Sequence, residues 1–245
     1  YTTLFRSTVE AFISALNDAG ITLTEQQIEQ FQRYFELLVE ANKQFNLTAI
    51  TDEKDVYLKH FYDSLTVAIY VKALQHQSST LIDVGTGAGF PSLPLKIAFP
   101  QLKITMVDAL QKRVRFLQDV VDTLDLKNVS IVHGRAEDIG QNVAYREQFD
   151  FATARALART SVLAEYTLPF VKVGGALLVM KGAAAEQELA DGQQALATLG
   201  GTVSSAFDFK LPNGDQRVIQ VVDKYKKTPK KYPRQAGTPN KKPIA

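Results

Sequence analysis

The chain has 245 residues, 45% of them hydrophobic and 22% charged, enough for one or two domains whose core needs no covalent or metal staple. It contains no cysteine, which excludes disulfide scaffolds, cysteine-ligated zinc, iron–sulfur clusters and thiol nucleophiles, and which suits a cytoplasmic protein. The three histidines, at 60, 76 and 133, are too scattered to suggest a metal site, no apolar run nears the ~18 residues of a membrane span, and the net charge is only +2.

Residues 1–75 read as a helical region. Leu4, Phe5, Val9, Phe12, Ile13 and Leu16 recur at helical spacing, and Gly20 suits a C-terminal cap. Thr24 and Gln27 form a capping box ahead of a helix with Ile28, Phe31, Phe35, Leu38 and Ala41 on one face. Asn46-Leu47-Thr48 interrupts the pattern, and a further helix is predicted over about 53–73. From Thr80 the texture changes. Strands are predicted at 80–84, 103–107, 129–132, 149–153 and 175–180, with helices at 91–99, 111–123, 160–171 and 184–198. Two last strands, 202–209 and 217–223, flank a turn containing Asn213-Gly214. The expected α/β fold is therefore an open, Rossmann-like, doubly wound sheet over 76–223, with an N-terminal helical extension and an antiparallel edge hairpin. Beyond it, residues 224–245 carry eight basic and no acidic side chains and four prolines, which leaves a net −6 on residues 1–223. Such a tail is expected to be extended or disordered when alone.

The sharpest signal is Leu81-Ile82-Asp83-Val84-Gly85-Thr86-Gly87-Ala88-Gly89-Phe90-Pro91. A strand runs into three alternating glycines, Gly85, Gly87 and Gly89, and Pro91 then opens a helix. Asp108 closes the second strand, where a carboxylate accepts the hydroxyls of a ribose. A dinucleotide fingerprint needs a small residue at position 90, which is Phe, so S-adenosylmethionine, which has no phosphate, is preferred to NAD. A glycine turn without a ligand is the plainer alternative. Later strand ends offer Glu137 with the backbone at Ala136 for an adenine edge, then Arg155 and, more weakly, Lys181. Lys112 and Arg113 form a second basic cluster, on a helix beside Asp108. Helix packing is the plainer reading of Tyr62, a structural hydrogen bond that of His60, and a backbone tie that of Asn46.

In order and spacing, these residues resemble the glucose-inhibited division protein B family from about Phe31 to the C-terminus. The resemblance rests on Asn46-Leu47-Thr48-Ala49-Ile50, His60-Phe61-Tyr62-Asp63-Ser64-Leu65, the glycine loop through Phe90-Pro91, Gln111-Lys112-Arg113, Arg135-Ala136-Glu137, Thr153-Ala154-Arg155-Ala156 and Pro229-Lys230-Lys231-Tyr232-Pro233-Arg234. It implies a class I S-adenosylmethionine-dependent methyltransferase fold and transfer of a methyl group to N7 of a guanosine in 16S ribosomal RNA. The implied partner is the small ribosomal subunit or its assembly intermediate, with no metal and no membrane. Implied cofactor contacts are Gly85, Phe90, Asp108, Ala109, Leu110, Ala136, Glu137 and Arg155. Guanine N7 carries a lone pair and no hydrogen, so its methylation needs no general base, consistent with the lack of an evident nucleophile–base pair. Donors for the guanine are Arg155 or Lys181, and Asp63 is the expected acceptor. RNA phosphates are expected to meet Lys226, Lys227, Lys230, Lys231 and Arg234, helped by Lys112 and Arg113. The competing readings are an NAD(P)-binding oxidoreductase and a non-catalytic ribosome-binding protein. Ser92 departs from the glycine, and Ala41 from the tryptophan, that many members carry at those places.

Overall fold

A computed structural model describes residues 2–155, 159–182 and 185–244; Ala156 and the predicted helix start at 184 lie outside them. The N-terminal part is helical: α1 (Thr2–Asp18), α2 (Glu25–Gln44), α3 (Glu53–Asp55), a π-helical stretch (Val56–Tyr62), α4 (Asp63–Tyr70) and α5 (Ala73–His76). The capping box forms as its sequence predicts. Thr24 Oγ1 accepts from the Gln27 N–H, and Gln27 Oε1 accepts from the Thr24 N–H.

One seven-stranded sheet follows, built from β1 (Thr80–Val84), β2 (Lys103–Asp108), β3 (Val129–His133), β4 (Phe149–Arg155), β5 (Val171–Lys181), β6 (Gly201–Lys210) and β7 (Gln216–Lys224). Its order is β3-β2-β1-β4-β5-β7-β6. The first five strands pair in parallel, and β7 runs antiparallel between β5 and β6. The order reverses between β1 and β4, which opens a crevice at their carboxyl ends where ligands of such sheets bind. Helices α6 (Ser92–Ala98), α7 (Gln111–Thr123), α8 (Ala136–Gln141), α9 (Thr160–Thr167) and α10 (Ala185–Leu199) join the strands.

Alternate residues of each strand serve opposite faces. Leu81, Ile104, Met106 and Leu178 pack with Phe12, Phe31, Tyr34, Phe61, Leu65, Leu93 and Phe116, so the N-terminal helices share a core with one face of the sheet. Ile82, Val84, Ala152, Leu177 and Val179 pack on the other face with Val162, Leu163, Phe170, Leu196 and Leu199. Gln27 fastens the helical region further, donating to the carbonyls of Ile97 (2.8 Å) and Ala98 (3.1 Å). Among the described residues no helix is long and apolar enough to cross a membrane.

The tail departs from expectation: it is folded back against α8 and α9 and ends in a short helix, α11 (Thr238–Lys241). The reason is that its charges and carbonyls find partners far away in sequence. The Lys224 ammonium is buried and donates to the carbonyls of Leu168 (2.6 Å) and Val171 (3.2 Å) and to Thr228 Oγ1 (2.8 Å). Burial lowers its pKa to about 8, against the raising effect of Glu147. Arg146 donates to the carbonyls of Thr228 (2.9 Å), Pro229 (3.2 Å) and Tyr232 (2.7 Å), and Gln141 to those of Lys230 (3.1 Å) and Pro233 (2.8 Å). Gly140 is glycine for this contact, since a Cβ there would lie 2.9 Å from the Pro233 ring.

Candidate cofactor and RNA site

The glycine loop leaves β1 at Val84 and turns across the carboxyl end of β2, where the Gly85 N–H donates to the Val107 carbonyl (2.8 Å). All three glycines have positive φ. Gly89 has no alternative: at φ +97° a Cβ would sit 2.3 Å from Leu93 Cδ1 and 2.9 Å from the Tyr34 hydroxyl. That hydroxyl donates to the Ala88 carbonyl, so α2 braces the loop from below. Asp83 braces it from the strand. Its Oδ2 accepts from Thr86 Oγ1 (2.7 Å) and Ser92 Oγ (2.6 Å). The departure at position 92 is thus a hydroxyl with a structural task. Asp83 Oδ1 is buried and has no donor among the described residues. Burial raises the pKa of Asp83 to about 6, against hydrogen bonds from Ser92 and Thr86 that lower it. Pro91 stands at the cap of α6, just before its first turn.

Asp108 is joined to the loop directly. Its Oδ2 accepts from the Gly87 N–H (2.9 Å) and its Oδ1 from the Leu110 N–H (2.9 Å), with Arg113 Nη1 3.6 Å from Oδ2. A carboxylate offers about four lone-pair sites, so two remain after these backbone bonds. Leu110, 44% exposed, presents an apolar surface beside the carboxylate, and the Ala109 carbonyl is bonded to His133 Nε2 at 3.1 Å. Ala136 and Glu137 open α8 after β3, so their amides stand at the same edge of the sheet. The Glu137 carboxylate, expected at an adenine edge, accepts from the Gly237 N–H of the tail through Oε1 (2.8 Å).

Across the crevice, Arg155 ends β4 and reaches back to the helical region. It donates to the Lys59 carbonyl (3.2 Å) and to His60 Nδ1 (2.9 Å), and lies 3.6 Å from Asp63 Oδ2. Arg155 can only donate, so His60 Nδ1 accepts and Nε2 carries the proton, which bonds Thr48 Oγ1 at 3.0 Å. Burial, reinforced by Arg155, lowers the His60 pKa to about 4 and keeps the ring neutral. This ring stacks on Phe90 at 4.5 Å between centroids, and the Arg155 guanidinium lies 5.0 Å from the Phe90 centroid. His60 is the structural hydrogen bonder expected; Asn42, not Asn46, is the side chain seen tying the 46–48 backbone, accepting from Leu47 and Thr48.

Asp63 is not placed as an open acceptor for a guanine. Both its oxygens accept from Arg217 Nε at 3.2 Å, and Arg155 flanks it. Burial raises its pKa while the two arginines lower it. Lys181 pairs with Glu188 of α10. Lys112 is exposed and lies over the Phe45 ring at 5.4 Å, whereas Arg113 turns toward Asp108. Lys226, Lys227, Lys230 and Lys231 are exposed. Arg234 is drawn inward, with Nε and Nη2 on Glu165 at 2.9 and 2.6 Å, which removes it from the phosphate-facing set. Sequence reasoning missed Tyr34, Asp83 and Arg217 as parts of this site. Only Asp83 had a local signal, as the acidic residue two before the first glycine of the loop.

A family profile described as rRNA small subunit methyltransferase G matches residues 27–218. The chain is 99% identical over 238 residues to the ribosomal RNA small subunit methyltransferase G of Leuconostoc citreum strain KM20, covering 97% of this chain and 100% of that one. It is 55% identical to the protein of that name from Lactococcus lactis subsp. cremoris strain MG1363, covering 97% of this chain and 99% of the relative. Among solved structures, an O-methyltransferase from Bacillus cereus in complex with SAH superposes with a TM-score of 0.57 at 14% identity, over 88% of this chain and 100% of that one, a likeness of fold alone.

Proposed function

The chain belongs to the rRNA small subunit methyltransferase G family, and from that premise we propose how its residues divide the work. The protein is an S-adenosylmethionine-dependent methyltransferase of small-subunit ribosomal RNA. We assign the target as N7 of a guanosine in 16S RNA, presented by the small subunit or an assembly intermediate in the cytoplasm.

The cofactor fits the residues present. Bound, it supplies an electrophilic methyl group on a sulfonium. Asp108 keeps two lone pairs beside the loop for ribose hydroxyls while its other bonds hold Gly87 and Leu110 in place. Leu110 offers an apolar surface to the adenine, and the amides of Ala136 and Glu137 read its edge. Asp83 Oδ1, a buried acceptor at the root of the loop, suits the ammonium of the amino-acid arm.

Guanine N7 has a lone pair and no hydrogen, so no residue of the protein has to remove a proton before transfer. Its contribution is positioning, exclusion of water and electrostatic shaping. Arg155 stands across the crevice from the loop, fixed by Lys59, His60 and Asp63, and donates toward the guanine O6. The observation that supports this reading is the bond from the Gly87 N–H to Asp108, which ties the glycine loop to the carboxylate that ends β2. Incubation with a radiolabelled methyl donor and small ribosomal subunits, followed by mapping of the RNA, tests it. One methylated guanine is expected; label on protein, on free guanosine or at another atom overturns it.

A further inference from the structure

We propose that residues 225–242 form a pre-shaped RNA-backbone clamp, and that Arg146 and Glu165, which touch no RNA, are positioning residues for it. The inference rests on the rRNA reading above and adds to it where the affinity for RNA resides.

Three observations carry it. First, the carbonyls between the lysines are turned inward. Arg146 holds those of Thr228, Pro229 and Tyr232, and Gln141 holds those of Lys230 and Pro233. Lys226, Lys227, Lys230 and Lys231 are exposed around them. Second, two acidic side chains of the body anchor the strap's far end. Glu165, fully buried, accepts from the backbone and guanidinium of Arg234, and Glu137 accepts from the Gly237 N–H. Third, aromatic rings accompany the exposed charges: Lys226 lies 5.4 Å from the half-exposed Tyr225 ring and Lys231 5.2 Å from that of Tyr232.

Four exposed ammonium groups on a fixed backbone suit a polyanion, such as a nucleic-acid backbone. Residues 1–223 carry a net −6 and repel one, so the strap concentrates the attraction at one place. A flexible tail has to be ordered on binding, at an entropic cost for every residue; a strap already held avoids it. Glu137 also opens α8, so the clamp is seated at the rim of the cofactor site.

The experiment separates charge from order. RNA affinity of the full chain for small-subunit rRNA is measured across a salt series for wild type, for Arg146→Ala and for the fourfold change of Lys226, Lys227, Lys230 and Lys231 to Ala. Arg146→Ala keeps every exposed lysine. It is expected to weaken RNA binding about 10-fold with an unchanged salt slope, and to raise amide exchange in 225–242. The fourfold variant is expected to flatten the salt slope by about 3, four lost phosphate contacts at ~0.7–0.9 each. Glu165→Gln, a milder loosening, serves if Arg146→Ala does not fold, with the same signature. Unchanged affinity in a variant whose strap has loosened, or an unchanged slope in the fourfold variant, overturns the clamp. Wild-type methylation of small-subunit RNA, run alongside, tests the parent reading separately: the clamp can fail while methylation stands.

Discussion

Replacing Arg234 by alanine leaves Glu165, which is fully buried, facing only one backbone N–H of the strap. Two charge-assisted bonds, of 2.9 and 2.6 Å, disappear. Breaking a buried ion pair by removing one partner typically costs about 3–5 kcal/mol, because the other charge stays behind without compensation. The Arg234 side chain is 27% exposed and the backbone donor survives, so the lower figure applies, about 3 kcal/mol. In a chain of this length that lowers Tm by roughly 6–12 °C. Glu165→Gln removes the charge that needs compensation, so it costs less, and Arg234→Ala added to it costs about 1 kcal/mol rather than 3. Thermal and urea unfolding of the two single variants and the double variant measure the cycle. A loss below about 0.5 kcal/mol in Arg234→Ala, the level of an ordinary exposed pair, refutes the claim that the tail is part of the folded structure.

Gly89→Ala places a Cβ 2.3 Å from Leu93 Cδ1 at a φ of +97°, and the combined strain is expected to cost roughly 3 kcal/mol and to impair cofactor binding; an unchanged Tm contradicts the loop geometry. Stability against pH carries two opposed signatures. His60, lowered from 6.5 to about 4, contributes stability that is present above pH 6.5 and lost as pH falls toward 4, roughly 3 kcal/mol in all. Asp83, raised from 3.8 to about 6, contributes in the other sense, with stability present below pH 3.8 and lost as pH rises through 6. Between pH 4 and 6 the two effects oppose one another, so His60→Gln is expected to leave a protein that gains stability on acidification from pH 6 to 4. Urea midpoints across that range check it, and a profile identical to wild type contradicts the assignment of a neutral, buried His60.

Local patterns carried most of the fold. The predicted strand at 80–84 and helix at 111–123 coincide with β1 and α7, because a short apolar run in the one and a 3.6-residue apolar spacing in the other are written into the segments themselves. The capping box at Thr24 was legible for the same reason: its partners are three residues apart. The tail was not legible, because what orders it is distant. Lys224 meets Leu168, Arg234 meets Glu165 and Gly237 meets Glu137, contacts spanning 56, 69 and 100 residues that leave no trace in a charge count. In the site, the glycine loop and Asp108 were readable from their places at strand ends. The pairing of Asp63 with Arg217, 154 residues away, was not, since only the β5–β7 register brings β7 alongside the helical region. A π-helical stretch at 56–62 has no periodic signal distinct from an α-helix in so short a segment, yet it carries Lys59 and His60, which hold Arg155.

Calorimetric titration of S-adenosylhomocysteine into wild type and Asp108→Ala tests the central assignment most directly. Wild type is expected to bind. The variant, having lost the carboxylate that accepts the ribose hydroxyls and holds Gly87 and Leu110, forfeits at least one charge-assisted contact of about 1.5–3 kcal/mol and is expected to bind at least ~10-fold more weakly. Equal affinity in the two proteins would contradict the placement of the cofactor between the glycine loop and Asp108.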